Sequence, residues 1–178
     1  MISHVVEPAD IVVDATCGQG NDTLFLAELT GSGGLVYSFD IQESAIEAAR
    51  SLLTKNNLIH TVRFIHDDHA RLADYVHNKI KVCMFNLGYL PGGDHQITTK
   101  PDTTIKAVEA SMKLLEVGGL VTIVAYPGHQ AGKLELEELR KYLKSIPQQE
   151  MEITETLFIN QINNPPVLII AQKIKEEI

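Results

Sequence analysis

Two stretches of the chain carry residues whose types and spacing can do chemistry. The first is Asp14-Ala-Thr-Cys-Gly-Gln-Gly-Asn-Asp-Thr23. Gly18 permits a tight backbone turn, and Gly20 lets a ligand approach the main chain without meeting a Cβ. Ile11-Val-Val13 before it is apolar and β-branched and reads as a buried strand; Leu24 to Leu29 after it reads as a helix ended by Gly31. A glycine turn leading into a helix N-terminus, with its free N–H groups and partial positive charge, is a binding site for a nucleotide-like ligand. The plainer reading is that the glycines serve packing alone. The second stretch is Asn86-Leu-Gly-Tyr-Leu-Pro-Gly-Gly-Asp-His95, which opens a polar loop running to about Asp102. Loops of that length inside a compact domain are functional or disordered. The plainer reading makes Asn86 a strand end and Pro91-Gly-Gly93 a turn.

The kind of nucleotide turns on two positions. A dinucleotide fingerprint wants a third glycine where this chain has Thr23. The strand also ends in an acid, Asp14, four residues before Gly18. An acid repels a pyrophosphate and attracts a sulfonium and an amino group. Asp-x-x-x-Gly-x-Gly thus resembles motif I of the S-adenosylmethionine (SAM) dependent methyltransferases with a Rossmann-like fold. In a doubly wound sheet ligands gather at the carboxyl ends of the strands. Asp40, at the next strand end, can accept from both ribose hydroxyls, which is common to NAD and SAM sites; capping the following helix is the plainer role. Ile41 and Gln42 would border the adenine. In His66-Asp67-Asp68-His69 a carboxylate can accept from the adenine amino group, Asp68 ahead of Asp67. A metal cluster there is disfavoured, because adjacent residues on a strand end rarely converge on one ion, and no metal is expected. His66 fits a plain core or surface histidine, and His69 joins the cofactor side.

Amino-group methyltransferases place a short Asn/Asp-x-x-Tyr motif where Asn86 and Tyr89 fall. The substrate nitrogen must present a lone pair in line with the departing sulfur. The Asn86 carbonyl and nearby backbone carbonyls can hold its N–H groups while Tyr89 packs on the base, so catalysis is mostly positioning. An alkylamine must first lose a proton, which Asp94 or His95 could accept. Tyr126 and His129, in Tyr126-Pro-Gly-His-Gln-Ala-Gly132, face the same crevice as substrate contacts or form a plain turn.

The elements that must hold these residues alternate strand and helix, which predicts a parallel sheet with helices on both faces. Strands are expected at Leu35 to Asp40, Thr61 to Ile65, Ile80 to Phe85 and Leu120 to Ala125. Helices are expected from Gln42 to about Asn56, with a Ser44…Glu47 capping box, around Ala70 to Val76, along the stripe Ile105, Val108, Met112 and Leu115, and along Leu136, Leu139 and Leu143. Gly118-Gly119 is expected to close the third of these. Two last strands, Ile153 to Ile159 and Val167 to Ile174, are joined by a short polar connection and should pair antiparallel. The expected fold is α/β, a Rossmann-like class I SAM-dependent methyltransferase fold: a mostly parallel seven-stranded sheet ending in an antiparallel hairpin, with residues 1–178 as one domain.

Composition narrows the class further. At 178 residues, 44% hydrophobic and 21% charged, the chain suits a globular protein. No apolar run reaches membrane-spanning length and no signal peptide opens the chain, so a cytoplasmic location is expected. Cys17 and Cys83 read as reduced thiols; Cys17 could line the site, but nothing marks it as a nucleophile. The net charge of −8 argues against a broad nucleic-acid surface, though not against a small local footprint of lysines and arginines between Lys100 and Lys144. A homodimer is left open.

Motif I, Phe39-Asp-Ile-Gln42, Asn86 to His95 and Tyr126-Pro-Gly-His129 together resemble one bacterial family, the YtqB-like proteins labelled rRNA methylases and also associated with a tRNA methyltransferase activity called MnmM. The resemblance spans nearly the whole chain. It implies SAM-dependent N-methylation of 5-aminomethyl-2-thiouridine at the tRNA wobble position, with the anticodon arm as partner. It assigns SAM contacts to Asp14, Gly18, Gly20, Asn21, Asp22, Asp40, Gln42 and the Asp68 region, and substrate roles to Asn86, Tyr89, Asp94 and His95. Family members usually carry a helical segment where this chain has Met1 to His4, and Asp-Ser-His where it has Asp67-Asp68-His69, which would move the adenine contact to Asp67. Alternatives are an rRNA or small-molecule methyltransferase, a non-catalytic SAM-binding module and, in another class, an NAD-dependent oxidoreductase.

Overall fold

The computed structural model describes residues 1–88 and 98–175. Seven strands form one sheet: β1 (Ile11–Asp14), β2 (Leu35–Asp40), β3 (Val62–His66), β4 (Ile80–Asn86), β5 (Leu115–Ala125), β6 (Met151–Thr156) and β7 (Val167–Lys173). Their order is β3-β2-β1-β4-β5-β7-β6. The first five run parallel, and β7 inserts antiparallel between β5 and β6. This is the expected class I methyltransferase arrangement. The order reverses between β1 and β4, so the ligand crevice falls beyond the ends of those two strands.

Side-chain alternation along the strands builds a core on each face. Val12, Val36 and Val82 pack with Leu26 of α1 (Asn21–Thr30) and Leu53 of α2 (Glu43–Lys55). Val13, Cys83, Phe85, Val121 and Ile123 pack on the other face with Leu72 of α3 (Leu72–Tyr75), Val108 of α4 (Pro101–Leu114) and Leu139 of α5 (Gln130–Lys144). Strands buried on both sides explain their unbroken apolar sequences.

Three local expectations are corrected. The Ser44…Glu47 capping box does not form, because Gln42 rather than Ser44 is the N-cap of α2 and Ser44 already lies inside the helix. The Gln42 N–H is taken by the Asp40 carboxylate at 2.9 Å. Gly118-Gly119 does not end α4, which stops at Leu114; both glycines lie in a bulge of β5. From Ile80 to Val82 the partner on β5 jumps from Leu115 to Leu120. Gly118 turns there with φ +84°, and a Cβ on Gly119 would sit 2.8 Å from the Lys81 carbonyl oxygen. β6 ends at Thr156 rather than Ile159, and Leu157, Phe158 and Ile159 are exposed beyond it.

Candidate functional site

A cavity of about 800 Å³ opens at the carboxyl ends of β2, β1, β4 and β5. Its wall includes Cys17, Gly18, Asn21, Asp22, Asp40, Ile41, Gln42, Asp68, His69 and Asn86, all singled out by the sequence. Tyr126 and His129 border it as well. Tyr89, Asp94 and His95 lie outside the described residues.

The glycine turn works differently at its two glycines. Gly18, at φ +52°, aims its N–H at Asp40 Oδ2, 2.8 Å away. Gly20 does not border the cavity. It is the N-cap of α1 at φ +87°, and a Cβ there would meet the Ala49 Cβ at 2.7 Å. Gly20 therefore admits α2 against the turn rather than a ligand against the main chain. Leu24 N–H closes the first helical turn on the Gly20 carbonyl at 2.8 Å.

Asp14 is also behind the wall. It is fully buried, accepts from the Thr23 hydroxyl at 2.5 Å and from Thr16 N–H at 3.1 Å, and so ties the turn to α1. Burial pushes its carboxyl up to about 7, against the lowering by Thr23. Cys17 lines the cavity next to it, and burial pushes that thiol up to about 12, so it stays protonated and un-nucleophilic. Thr23, which replaces a third glycine, also contacts the Ser38 hydroxyl at 2.8 Å. The side chain that breaks the dinucleotide fingerprint is thus a structural part of this turn.

Asp40 is oriented through both oxygens, Oδ2 by Gly18 N–H and Oδ1 by Gln42 N–H. Each oxygen keeps a second lone pair for a ribose hydroxyl. The four residues after Ile65 diverge, each to its own partner. His66 Nε2 lies 3.0 Å from the Ile41 carbonyl oxygen. Asp67 Oδ2 is taken by Tyr75 and Arg71 at 2.6 and 2.7 Å, and its Oδ1 by Asp68 N–H at 2.8 Å. Those contacts, the Tyr75 hydroxyl first, hold the Asp67 carboxyl below its usual range. Among the described residues Asp68 accepts Ala70 N–H, through Oδ1 at 2.8 Å, which leaves Oδ2 for a ligand. His69 is buried against Phe85 and donates from Nδ1 to the Ala15 carbonyl at 3.1 Å. Burial lowers its pKa, so it stays neutral.

Asn86 ends β4 with its side chain exposed to the cavity. Its N–H donates to Thr16 Oγ1 at 2.7 Å, and its amide nitrogen lies 3.5 Å from Asp22 Oδ2. In register, Asp14 faces Ser38 on β2 and Met84 on β4, so Asp40 and Asn86 each lie two residues beyond that level. Two strand spacings separate them, roughly 10 Å. Lys100, named for the basic footprint, lines the cavity too, and the structure adds residues that sequence reasoning missed: Thr16, Gln19 and, where the described chain resumes, Thr98, Thr99 and Thr103 of α4. The only signal for the latter was that a loop leaving the site must come back beside it.

The wall's charge suits a cationic ligand. Among the described residues Asp22, Asp40, Asp67 and Asp68 face it, against one lysine, Lys100. The paired amide-held carboxylate of Asp40, the free oxygen of Asp68 and this negative field fit the ribose, adenine and sulfonium–ammonium groups of SAM. Fold and site together define a class I SAM-dependent methyltransferase. The chain belongs to the family whose model is described as "Putative rRNA methylase", matched over residues 36–172, as the YtqB- and MnmM-like motifs led one to expect. A "putative rRNA-methylase" from Clostridium thermocellum is 47% identical, with a TM-score of 0.96 over 97% of this chain and 93% of that one. A "putative methyltransferase" from Streptococcus mutans, solved in complex with SAH, is 36% identical, with a TM-score of 0.88 over 97% and 93%. A chloroplastic tRNA (mnm(5)s(2)U34)-methyltransferase of Arabidopsis thaliana is 37% identical over 96% of this chain. The chain spans 65% of the length of that relative. The cofactor is SAM, which disposes of the NAD-dependent alternative.

Proposed function

We propose that residues 1–178 act as one catalytic unit that N-methylates 5-aminomethyl-2-thiouridine at the tRNA wobble position, giving the 5-methylaminomethyl product. The observation that carries the reading is Asn86 at the end of β4, on the same cavity wall as Asp40 and about two strand spacings from it. The name of the Arabidopsis relative supports the substrate. When bound, SAM supplies an electrophilic methyl on its sulfonium sulfur. Asp40 and Asp68 hold the nucleoside end of the donor, with Ile41 and Gln42 at the adenine. Asn86 presents its amide nitrogen toward Asp22 and keeps its carbonyl oxygen to accept an N–H of the substrate amine. That contact turns the nitrogen lone pair toward the methyl group, and orientation of this kind supplies most of the rate. Tyr89 would pack on the base, and Asp94 or His95 would take the ammonium proton.

The anticodon arm is the proposed partner, met at the cavity mouth by Lys100 and the loop ends. No helix among the described residues is long and apolar enough to cross a membrane. The test pairs cells and purified protein. Mass spectrometry of wobble uridine in cells lacking the protein should show the aminomethyl form accumulating; an unchanged methylaminomethyl level removes the tRNA assignment. In vitro, Asn86→Ala should keep SAM affinity within about twofold and lose on the order of 100-fold in turnover. Normal turnover in that variant refutes the amine-positioning role.

A further inference from the structure

Residues 86–88 carry the chemistry-bearing strand end into a segment of the chain that returns at Thr98. Among the described residues, a reciprocal pair of hydrogen bonds ties the two ends together. Leu87 still pairs with β5, donating to the Val124 carbonyl at 2.9 Å. One residue on, Gly88 has left the sheet at φ +119° and its partner is Thr99. Gly88 N–H donates to Thr99 Oγ1 at 2.9 Å, and Thr99 N–H donates back to the Gly88 carbonyl at 3.1 Å.

The Thr99 hydroxyl has one proton, and it goes to Glu135 Oε2 on α5, 2.8 Å away. The other oxygen of Glu135 accepts from the Thr104 hydroxyl in the first turns of α4, at 2.6 Å. Glu135 is only 3% exposed and Thr104 is fully buried. Burying a carboxylate is costly unless it is hydrogen-bonded, and an apolar side chain would pack at this point of α5 without that cost. What the carboxylate does here is grip two hydroxyls: one oxygen holds Thr99, the other Thr104 on the helix that follows it.

We propose that Glu135 is a positioning residue of the methyl-transfer site. It fixes Thr99, Thr99 fixes Gly88, and so the cavity wall two residues past Asn86 is held in place. Glu135 does not border the cavity and lies behind its wall. It acts through Thr99 and Thr104, and the proposal rests on the reading of Asn86 as the residue that orients the amine.

The test compares Glu135→Ala, Glu135→Gln and Thr99→Val in the full chain. Glutamine keeps an acceptor for one hydroxyl and an N–H for the other, so Glu135→Gln should retain near wild-type kcat/KM with tRNA. Glu135→Ala and Thr99→Val should each lose on the order of 10- to 100-fold in kcat/KM while SAM affinity stays within about twofold. The double variant should be no worse than the poorer single one, because both break the same chain of bonds. Amide exchange at Gly88 and Thr99, measured with SAH present, should quicken in Glu135→Ala and not in Glu135→Gln. Full kcat/KM in Glu135→Ala, equal damage in Glu135→Gln, or a parallel loss of SAM affinity overturns the proposal. If the wild-type protein methylates no tRNA, the functional reading falls alone. The exchange experiment then decides Glu135, and unchanged Gly88 protection in Glu135→Ala refutes it.

Discussion

Replacing Asp14 by asparagine tests the electrostatics of the turn most directly. Asp14 is fully buried, and its carboxyl is raised from 3.8 to about 7, chiefly by burial. In the unfolded chain the group titrates near its ordinary value. Between those two values the folded protein binds one proton more than the unfolded one, so stability falls as pH rises. The protonated Asp14 contributes fully below about pH 4, and its contribution is lost as the pH passes about 7. The whole span is worth roughly 4 kcal/mol, and from pH 5 to pH 8 the loss is roughly 2–3 kcal/mol. The amide introduced by Asp14→Asn cannot ionise but keeps a carbonyl oxygen for Thr23 or Thr16. Urea unfolding of both proteins at pH 5 and pH 8 gives two stability differences. The wild type should lose roughly 2–3 kcal/mol relative to Asp14→Asn between them. A difference that is the same at both pH values would show that Asp14 ionises as an exposed acid does, and the account of a turn built over a protonated carboxyl would be wrong.

Two further substitutions separate the turn's architecture from its ligand. Gly20→Ala places a Cβ 2.7 Å from the Ala49 Cβ at φ +87°. It should cost about 1–3 kcal/mol of stability by urea unfolding, and a variant as stable as wild type would refute the packing role. Asp40→Ala strands the Gly18 and Gln42 amides, 2.8 and 2.9 Å from the lost oxygens, and removes the ribose acceptor. Calorimetry should find SAM binding abolished, and retained affinity would move the ribose contact elsewhere.

The strand order was legible because each parallel strand is a short apolar run followed by a helical stripe, and because the last two strands are joined too briefly to cross over. The site was legible where chemistry sits at a strand end. Asp40, Asp68 and Asn86 could be placed from register alone, since a doubly wound sheet sends all its carboxyl ends to one edge. What misled was residue type without neighbours. Gly20 looks like a ligand-facing glycine until α2 is laid against it, and the reason for its missing Cβ lies twenty-nine residues away at Ala49. Gly118-Gly119 looks like a helix stop until β5 is paired with β4, when the pair becomes a bulge required by the Lys81 carbonyl.

Glu135 shows the same limit from the other side. In sequence it is one acid among Glu135, Glu137 and Glu138 on an amphipathic helix, and such runs are ordinarily solvated faces. Its position, one before the buried Leu136, puts it on the edge of the inward stripe. Helical spacing separates it from its exposed neighbour Glu137, but names no partner for it. Only the tertiary structure brings it to Thr99, 36 residues away, and Thr104, 31 away. Local periodicity can say that a polar residue falls on a buried face, but its partners, Thr99 and Thr104 of α4, are ones that no residue of α5 encodes. A buried acid at the rim of an apolar stripe is therefore the sequence feature worth marking. Its burial has to be offset by donors, and the donors here are the hydroxyls of Thr99 and Thr104.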